Sequence, residues 1–209
     1  MPLSRSFYLR SPRLVAVDLL GCVLVSRRGA TVTAGRIVET EAYLGPEDAA
    51  SHAAFRPGSH ALFYGPGGHA YVYLNYGMHA CLNAITNPPG RPGCVLIRAI
   101  EPVVGLAAMA RRRGVVSDSV RLGSGPGNLT RALGVTVRDN GCDLTRGRLI
   151  IEPRDRRRDF VVARGPRIGI TKAVEWPLRY WIADNRFVSR LSAGAGVRRD
   201  RTARPPRPG

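Results

Sequence analysis

Lysine is almost absent from this 209-residue chain: of its 32 basic residues, only Lys172 is a lysine. Long hydrophobic runs are absent as well, and residues 1–6 contain no hydrophobic signal core. A membrane-spanning helix needs about 18 or more consecutive apolar residues, and a secretory signal needs a shorter apolar core. We therefore expect neither membrane spanning nor export, and we predict a cytoplasmic protein.

Cysteine and histidine are too few and too scattered to form a recognisable metal site. The four cysteines lack any C-x-x-C spacing, and the four histidines match no zinc pattern. The signature of the nucleobase deaminases, His-x-Glu followed by Pro-Cys-x-x-Cys, is missing too. We expect no metal, no cofactor, and cysteines that are reduced and mostly buried. The cysteines are Cys22, Cys81, Cys94 and Cys142, and the histidines are His52, His60, His69 and His79.

Acidic residues are also scarce. The chain has 15 acidic and 32 basic residues, which gives a formal net charge of +17. Guanidinium groups suit phosphate oxygens, and the release of counterions from a polyanion favours binding. A nucleic acid is therefore the leading partner. An anionic membrane surface and a ribosomal assembly are the alternatives, and a GC-rich coding sequence would also enrich arginine.

The length requires only one hydrophobic core. We assign residues 1–191 to one domain. Residues 192–209 are rich in Arg, Pro, Gly and Ala without hydrophobic periodicity. We expect this tail to be disordered and at most a nonspecific electrostatic arm.

The hydrophobic pattern predicts many short strands and few helices. Ser11-Pro12 predicts the start of a short helix, the Gly- and Pro-rich residues 53–69 predict a loop, and Glu101-Pro102 predicts the start of another helix. Strands are predicted at residues 22–26, 31–40, 70–76, 94–100, 149–152, 167–171 and 179–183, the first two forming a hairpin around Arg28-Gly29.

Carboxylates and an imidazole lie close together in residues 39–52. In an extended strand, Glu39, Glu41 and Tyr43 share one face. Hydrolysis of an N-glycosidic bond needs a water activated for attack on C1′ and stabilisation of an oxocarbenium-like sugar, and one carboxylate can supply both. Glu41 is the better candidate because Tyr43 and His52 follow it closely. The alternative is that Glu39 and Glu41 are solvated charges on an exposed strand face.

Five of the seven tyrosines lie between positions 43 and 76. An enzyme that acts on a base inside a duplex must flip the base out, stack it on aromatic rings and fill the gap. Tyr71 and Tyr73 share a strand face with Asn75, although such a stripe is also typical of cross-strand packing. Tyr76 precedes Gly77, which permits a sharp change of direction. We therefore predict Tyr76 at a tip, where a wedge must project.

A glycine-rich turn, residues 123–128, precedes a predicted short helix at 129–133. Its backbone N–H groups are candidates for holding a phosphate, with Ser124, Gly125 and Gly127 as the residues involved. The turn lacks the Lys-Ser/Thr ending of a P-loop. A plain tight turn is therefore an equally open interpretation.

The near absence of lysine bears on mechanism. Enzymes that release a base and also cut the backbone form a Schiff base through an amine. Lys172 shows no catalytic sequence context. Pro2 would offer a secondary amine if Met1 were removed, but Leu3 follows it where such lyases place a glutamate. A monofunctional, water-using mechanism is therefore favoured.

Four segments, in order, resemble the alkyladenine (3-methyladenine) DNA glycosylase family: residues 36–48, 71–78, 94–99 with Glu101-Pro102, and 124–126. The similarity runs from about residue 19 to about residue 189. It implies a single α/β (α+β) domain built on a curved, mostly antiparallel sheet with flanking helices and a protruding β-hairpin.

The resemblance also implies roles for individual residues. Glu41 corresponds to the general base that activates water, and Arg98 to an arginine beside that water. Tyr43, His52 and Tyr73 correspond to the pocket that stacks and contacts the flipped base.

The resemblance also implies one residue that selects the base and one that inserts into the DNA. Asn83 corresponds to an asparagine that screens the pocket against the exocyclic amine of guanine, and Tyr76 to the tyrosine that replaces the flipped nucleotide. The implied partner is double-stranded DNA containing alkylated purines, bound from the minor groove by a monomer that is nucleoid-associated when on DNA. The implied reaction is hydrolysis of the N-glycosidic bond of 3-methyladenine and related bases in base excision repair.

Two other functions belong to different classes. A noncatalytic basic nucleic-acid-binding protein explains the charge but gives no reason for Glu41, Tyr43 and His52 to cluster. A hydrolase of free nucleosides explains the cluster but gives no role to Tyr76.

Overall fold

A computed structural model describes residues 1–55, 60–155, 159–189 and 198–200. Within these residues, the helices are α1 (Arg5–Tyr8), α2 (Pro12–Asp18), α3 (His52–Phe55), α4 (His60–Phe63), α5 (Leu106–Arg113) and α6 (Pro126–Leu133). The strands are β1 (Val23–Arg28), β2 (Thr31–Tyr43), β3 (Ala70–Asn75), β4 (His79–Ile85), β5 (Cys94–Val104), β6 (Leu149–Glu152), β7 (Val162–Gly165), β8 (Arg179–Ile182) and β9 (Arg198–Asp200). Two 3-10 turns lie at Val120–Leu122 and Val137–Asp139.

All strands of the described residues join one curved antiparallel sheet. Its main order is β3-β4-β5-β2-β8-β7-β9, and β1 pairs with β2 and with β6. β2 is the organising strand because it has 13 residues and pairs with β1, β5 and β8. Its register against β5 shifts at three places, and such bulges bend a strand and increase its twist. The predicted fold class, a single mixed domain on a mostly antiparallel sheet, is confirmed.

Helix α2 packs against β2. It begins at Pro12 after Ser11, as the sequence predicts, and buries Val15 and Ala16 completely. The Thr40 hydroxyl on β2 donates to the carbonyl of Ala16 at 2.8 Å. The main hydrophobic core therefore continues directly into the strand that carries the two predicted glutamates.

The strands β3 and β4 form a hairpin in which Tyr71 pairs with Asn83 and Tyr73 with Cys81. The turn between them contains Tyr76, with φ +49°, and Gly77, with φ +68°. Glycine adopts this left-handed region without penalty, whereas a tyrosine there is strained. The turn occurs at the predicted position, while the protrusion of the hairpin stays a prediction.

The helix predicted to begin at Glu101-Pro102 is present, but its predicted start is wrong. β5 continues through both residues to Val104, because Glu101 pairs with Arg36 of β2 in the sheet and forms an ion pair with its guanidinium. Helix α5 begins only at Leu106, after Gly105 adopts a φ of +75°. Strand pairing outweighs the local helix-start signal here.

Two other expectations also differ from the structure. The strand predicted at residues 167–171 is irregular, because Arg167 and Ile168 direct donors to the end of β2 instead of to a neighbouring strand. The strand in this part of the sequence is instead β7, which ends at Gly165. The next residue, Pro166, has no N–H to donate to a neighbouring strand. The described part of the loop predicted at 53–69 contains α3 and α4.

The four cysteines are free, and three of them are buried while Cys142 is half-buried, as predicted. The described residues contain no helix that is long and apolar enough to cross a membrane. The predicted tail, residues 192–209, lies outside the described residues apart from Arg198–Asp200, whose backbone pairs with β7.

Candidate active site

A cavity of about 530 Å³ opens beside the end of β2, the β3–β4 hairpin and residues 168–172. Its volume falls within the range of about 300–1,000 Å³ that is usual for small-molecule sites. Aromatic rings supply much of its wall, namely Tyr43, His52, Phe55, Phe63, Tyr71, Tyr73 and Tyr76. The structure therefore gathers the tyrosine-rich segment and the end of β2 around one cavity.

The carboxylate of Glu41 is completely buried and contacts three residues that line this cavity. Its Oε1 accepts a hydrogen bond from the backbone N–H of Ile168 at 2.8 Å and pairs with Arg98 Nη1 at 3.3 Å. Its Oε2 accepts a hydrogen bond from the Tyr43 hydroxyl at 2.9 Å. These contacts place Glu41, Arg98 and Tyr43 in one cluster, and the catalytic and binding roles that the resemblance implies for them stay predictions.

Glu39 holds the other side of Arg98. Its Oε1 accepts from Arg98 Nε at 3.3 Å and from Arg179 Nε at 2.6 Å, and its Oε2 accepts from the Ser189 amide at 2.8 Å. Glu39 and Arg179 are both completely buried. The alternative interpretation, in which Glu39 and Glu41 are solvated strand charges, is therefore wrong, because both carboxylates lie in a buried, charge-paired network.

The protonation states of two cavity groups follow from these contacts. Burial acts to lower the pKa of Arg98, but the charges of Glu41 and Glu39 outweigh it and raise the pKa above its ordinary value. Burial, followed by the charge of Glu41 and the hydrogen bond to it, raises the pKa of Tyr43 well above its ordinary value. Arg98 is thus a permanent cation, and Tyr43 is a neutral phenol at physiological pH.

A second buried ion pair fixes the loop after β2. Arg167 donates to Asp48 through Nη1 at 2.6 Å and Nη2 at 2.9 Å, and Nη1 also donates to the Ala42 carbonyl at 3.1 Å. Asp48 accepts from the amide of Leu44 as well, and the Arg167 guanidinium lies 4.6 Å from the centre of the Tyr43 ring. We call Asp48 and Arg167 the clamp, because they join the two segments that border the cavity.

Two of the predicted base-binding rings, His52 and Tyr73, contact each other and Tyr71. His52 Nδ1 and the Tyr71 hydroxyl share a hydrogen bond of 2.8 Å. The His52 ring meets the Tyr73 ring edge-on at 4.4 Å, and Tyr71 stacks on Tyr73 at 5.3 Å. Aromatic edges and faces arranged in this way provide an apolar surface for a planar ligand.

Asn83 is buried at the cavity wall. Its Nδ2 donates to the Tyr71 carbonyl at 3.1 Å, and its Oδ1 faces the Cys94 thiol at 3.8 Å. The side-chain amide is therefore held in one orientation across the β3–β4 pair.

Tyr76 lies at the rim with 81% of its surface exposed. The glycine-rich turn reaches the same rim through Pro126. Gly125 has a φ of +94°, and the Asn128 side chain donates to the Ser124 carbonyl at 2.6 Å. Phosphate binding by Ser124, Gly125 and Gly127 stays a prediction.

The model of the methylpurine-DNA glycosylase family matches residues 6–186. The chain belongs to this family. It is 48% identical over 192 residues to a protein of Koribacter versatilis, covering 90% of this chain and 93% of the relative. It is 46% identical over 194 residues to a protein of Methanoculleus marisnigri, covering 91% and 100%. A Bradyrhizobium diazoefficiens protein is 47% identical over 191 residues, covering 90% and 91%. All three are named as 3-methyladenine DNA glycosylases.

Sequence reasoning missed several residues of this methylpurine-DNA glycosylase site. Arg167, Ile168 and Arg179 each bond directly to a carboxylate of the buried network. Nothing in an arginine-rich sequence distinguishes a buried arginine from the exposed ones. Lys172, for which the sequence offered no catalytic context, lies exposed at the cavity wall.

The described part of the glycosylase contains no group of three or more His, Cys, Asp or Glu side chains that could hold a metal ion. The cavity is lined by the Arg98 guanidinium and several aromatic rings, and the buried Glu41 carboxylate pairs with that guanidinium. This donor set suits acid–base chemistry on a planar, cationic group.

Proposed function

We propose that this chain flips an alkylated purine, such as 3-methyladenine, out of duplex DNA into the aromatic cavity and hydrolyses its N-glycosidic bond with water. Family membership makes the chain a DNA glycosylase for alkylated bases. The proposal adds the route of the base and the residues that act on it. The observation that carries it is the buried Glu41 carboxylate, which bonds to three residues that line the cavity, Tyr43, Arg98 and Ile168.

Glu41 is the general base in this proposal. A carboxylate accepts the proton of the attacking water and, by its charge, stabilises the oxocarbenium-like sugar. Arg98 lines the cavity and keeps Glu41 in place through its ion pair. General base catalysis typically contributes a factor of about 10² to 10⁴ to the rate.

Tyr43, His52 and Tyr73 hold the base. Alkylation makes the purine cationic, so it interacts favourably with the electron-rich faces of tyrosine rings. The same positive charge weakens the glycosidic bond, and a good leaving group needs little further help. Asn83, held against the Tyr71 carbonyl, excludes the extra amine of guanine.

Tyr76 enters the duplex from the minor groove as the base leaves. Its exposure and its place at the tip of the β3–β4 turn support this role. The +17 charge attracts the phosphate backbone, and the turn at Ser124, Gly125 and Gly127 contacts one phosphate. One monomer acts on each lesion.

Base release by wild type and by Glu41→Gln tests the proposed function. The substrate is an alkylated duplex, with enzyme in excess so that one turnover is measured. We expect wild type to release the base without cutting the backbone, and the variant to be slower by about 10² to 10⁴. Because Gln keeps the shape of Glu, DNA affinity should stay within about threefold. A wild type that releases no base, or a fully active Glu41→Gln, would contradict the proposal.

A further inference from the structure

A guanidinium lies behind a ring that is proposed to stack the damaged base. The Arg167 guanidinium is 4.6 Å from the centre of the Tyr43 ring. Tyr43 lines the cavity, whereas Arg167 does not, and the Arg167 side chain has no exposed surface. A base that stacks on the cavity side of Tyr43 therefore has a buried positive charge on the other side of the same ring.

This placement is unfavourable for the proposed substrate. A purine alkylated at a ring nitrogen carries a positive charge, and like charges repel each other more strongly away from water. A base stacked on Tyr43 would lie roughly 8–9 Å from the Arg167 guanidinium. At that distance and an effective dielectric constant of about 20, one unit charge changes the affinity for a cation by about 30-fold. An uncompensated Arg167 would therefore select against cationic bases.

Asp48 supplies the compensating charge. Its carboxylate accepts hydrogen bonds from Arg167 Nη1 at 2.6 Å and Nη2 at 2.9 Å. The amides of Leu44 and Ala50 also donate to it, at 3.0 Å and 3.1 Å. Burial acts to raise the pKa of Asp48, but these hydrogen bonds outweigh it and lower the pKa. Asp48 is therefore ionised at neutral pH and cancels the charge of Arg167.

The buried charges of the glutamate network and the clamp balance as a whole. Three carboxylates and three guanidinium groups are buried there, so their formal charges cancel although the chain carries +17. Removing one carboxylate would leave a net positive charge beside the cavity. The six residues are Glu39, Glu41, Asp48, Arg98, Arg167 and Arg179.

We propose that Asp48 is a specificity-determining residue, which cancels the charge of Arg167 and so lets the cavity accept a cationic purine. This inference rests on the proposed function, since it concerns the same base in the same cavity. Asp48 acts through Arg167 and Tyr43 and does not touch the base. The preference between cationic and neutral purines is thus set behind the aromatic wall, while the stacking surface serves both.

The test compares two DNA duplexes whose damaged bases have the same shape but different charge. One contains 3-methyladenine. The other contains 3-methyl-3-deazaadenine, in which a carbon replaces the methylated nitrogen and removes the positive charge. All proteins also carry Glu41→Gln, so that base release is slow during the measurement. The quantity measured is the charge ratio, which is the affinity for the cationic duplex divided by the affinity for the neutral one.

The two partners of the clamp should change the charge ratio in opposite directions. Asp48→Asn should lower it by about 10- to 30-fold, because Arg167 is then uncompensated. Arg167→Gln should raise it by a similar factor, because the Leu44 and Ala50 amides keep Asp48 ionised. Removing both charges should return it to within about threefold of the parent value. A loss of cavity shape would instead weaken both duplexes alike.

Asp139→Asn is the matched control. Asp139 is also buried and accepts from Arg28 Nη1 at 2.9 Å and Nη2 at 2.7 Å, but neither residue lines the cavity. The control removes the same charge from the same kind of ion pair, so the charge ratio should stay unchanged. Denaturant unfolding of each variant checks that folded protein is measured, and either clamp variant alone tests the proposal if the other does not fold.

The outcomes separate this inference from the proposed function. If the clamp variants weaken both duplexes by the same factor, or change the charge ratio no more than Asp139→Asn does, the inference is overturned while hydrolysis through Glu41 stands. A lower charge ratio in Arg167→Gln would also overturn it. If the chain without any substitution releases no alkylated base, the proposed function falls, whereas the charge ratio still tests the clamp.

Discussion

At the scale of single residues, the two glutamates of β2 have different surroundings although they are two positions apart. Glu41 faces the cavity through the Tyr43 hydroxyl and the Arg98 guanidinium, whereas Glu39 is enclosed by Arg98, Arg179 and the Ser189 amide. Arg98 bridges them. Glu39 therefore balances the charge of the arginines, and Glu41 is the carboxylate that contacts the cavity-lining groups.

Tyr76 is the residue whose role is easiest to separate from folding. Since it is 81% exposed, we expect Tyr76→Ser to change the free energy of unfolding by less than about 0.5 kcal/mol. Base release from a fully paired duplex should slow by at least about tenfold, because no wedge then compensates for the few kcal/mol of lost stacking. The measurement is single-turnover release from a paired lesion and from the same lesion in an unpaired bulge.

The paired and bulged substrates make this test specific. A wedge matters less where the base is already unstacked, so the defect should shrink on the bulge. Leu14→Ser, which alters another exposed apolar residue, serves as the control and should leave both rates unchanged. Equal defects on both substrates would argue against intercalation.

At the scale of structural elements, the Asp48–Arg167 clamp decides the shape of the cavity border. Both side chains are buried, and removing one partner of a buried pair typically costs about 3–5 kcal/mol. Asp48→Asn should therefore lower the free energy of unfolding by about this amount at neutral pH. Glu152→Gln, at an exposed pair with Arg27, should cost less than about 1 kcal/mol.

The same clamp makes stability depend on pH. Burial acts to raise the pKa of Asp48, but hydrogen bonds from Arg167 and from the Leu44 and Ala50 amides outweigh it and lower the pKa. A depressed carboxyl pKa stabilises the fold above the unfolded value of about 3.9, and the contribution is lost as the pH falls below it. Denaturant unfolding of wild type and Asp48→Asn from pH 7 to pH 3 should show a smaller acid-induced loss in the variant. A parallel loss in both would contradict this account.

At the scale of the whole molecule, the excess of arginine governs association with DNA. The affinity for a polyanion falls steeply with salt, and contact with about five phosphates would weaken binding by about 500-fold between 50 mM and 200 mM salt. Arg201, Arg204 and Arg207 belong to the sequence predicted to be an electrostatic arm. Replacing all three with Gln should flatten the salt dependence of binding to undamaged duplex and leave single-turnover base release unchanged. An unaltered salt slope would remove the arm from the DNA interface.

The sequence by itself determined many of the strand-forming segments, although not β4 or β7, together with the helix after Ser11, the turn at Tyr76 and the cluster of Glu41 with Tyr43. These features depend on local properties, namely side-chain alternation, proline and glycine geometry, and motifs that lie within one short segment. Its resemblance to the glycosylase family also indicated Arg98 and Asn83.

Only the tertiary structure decided which charges are buried and what they pair with. Arg167 and Arg179 lie more than a hundred residues after their partners Asp48 and Glu39, and their environment depends on sheet pairing that no local pattern encodes. The same long-range pairing turned the helix signal at Glu101-Pro102 into strand. It also buried Glu41, because folding brings the Ile168 amide, the Arg98 guanidinium and the Tyr43 hydroxyl onto one carboxylate.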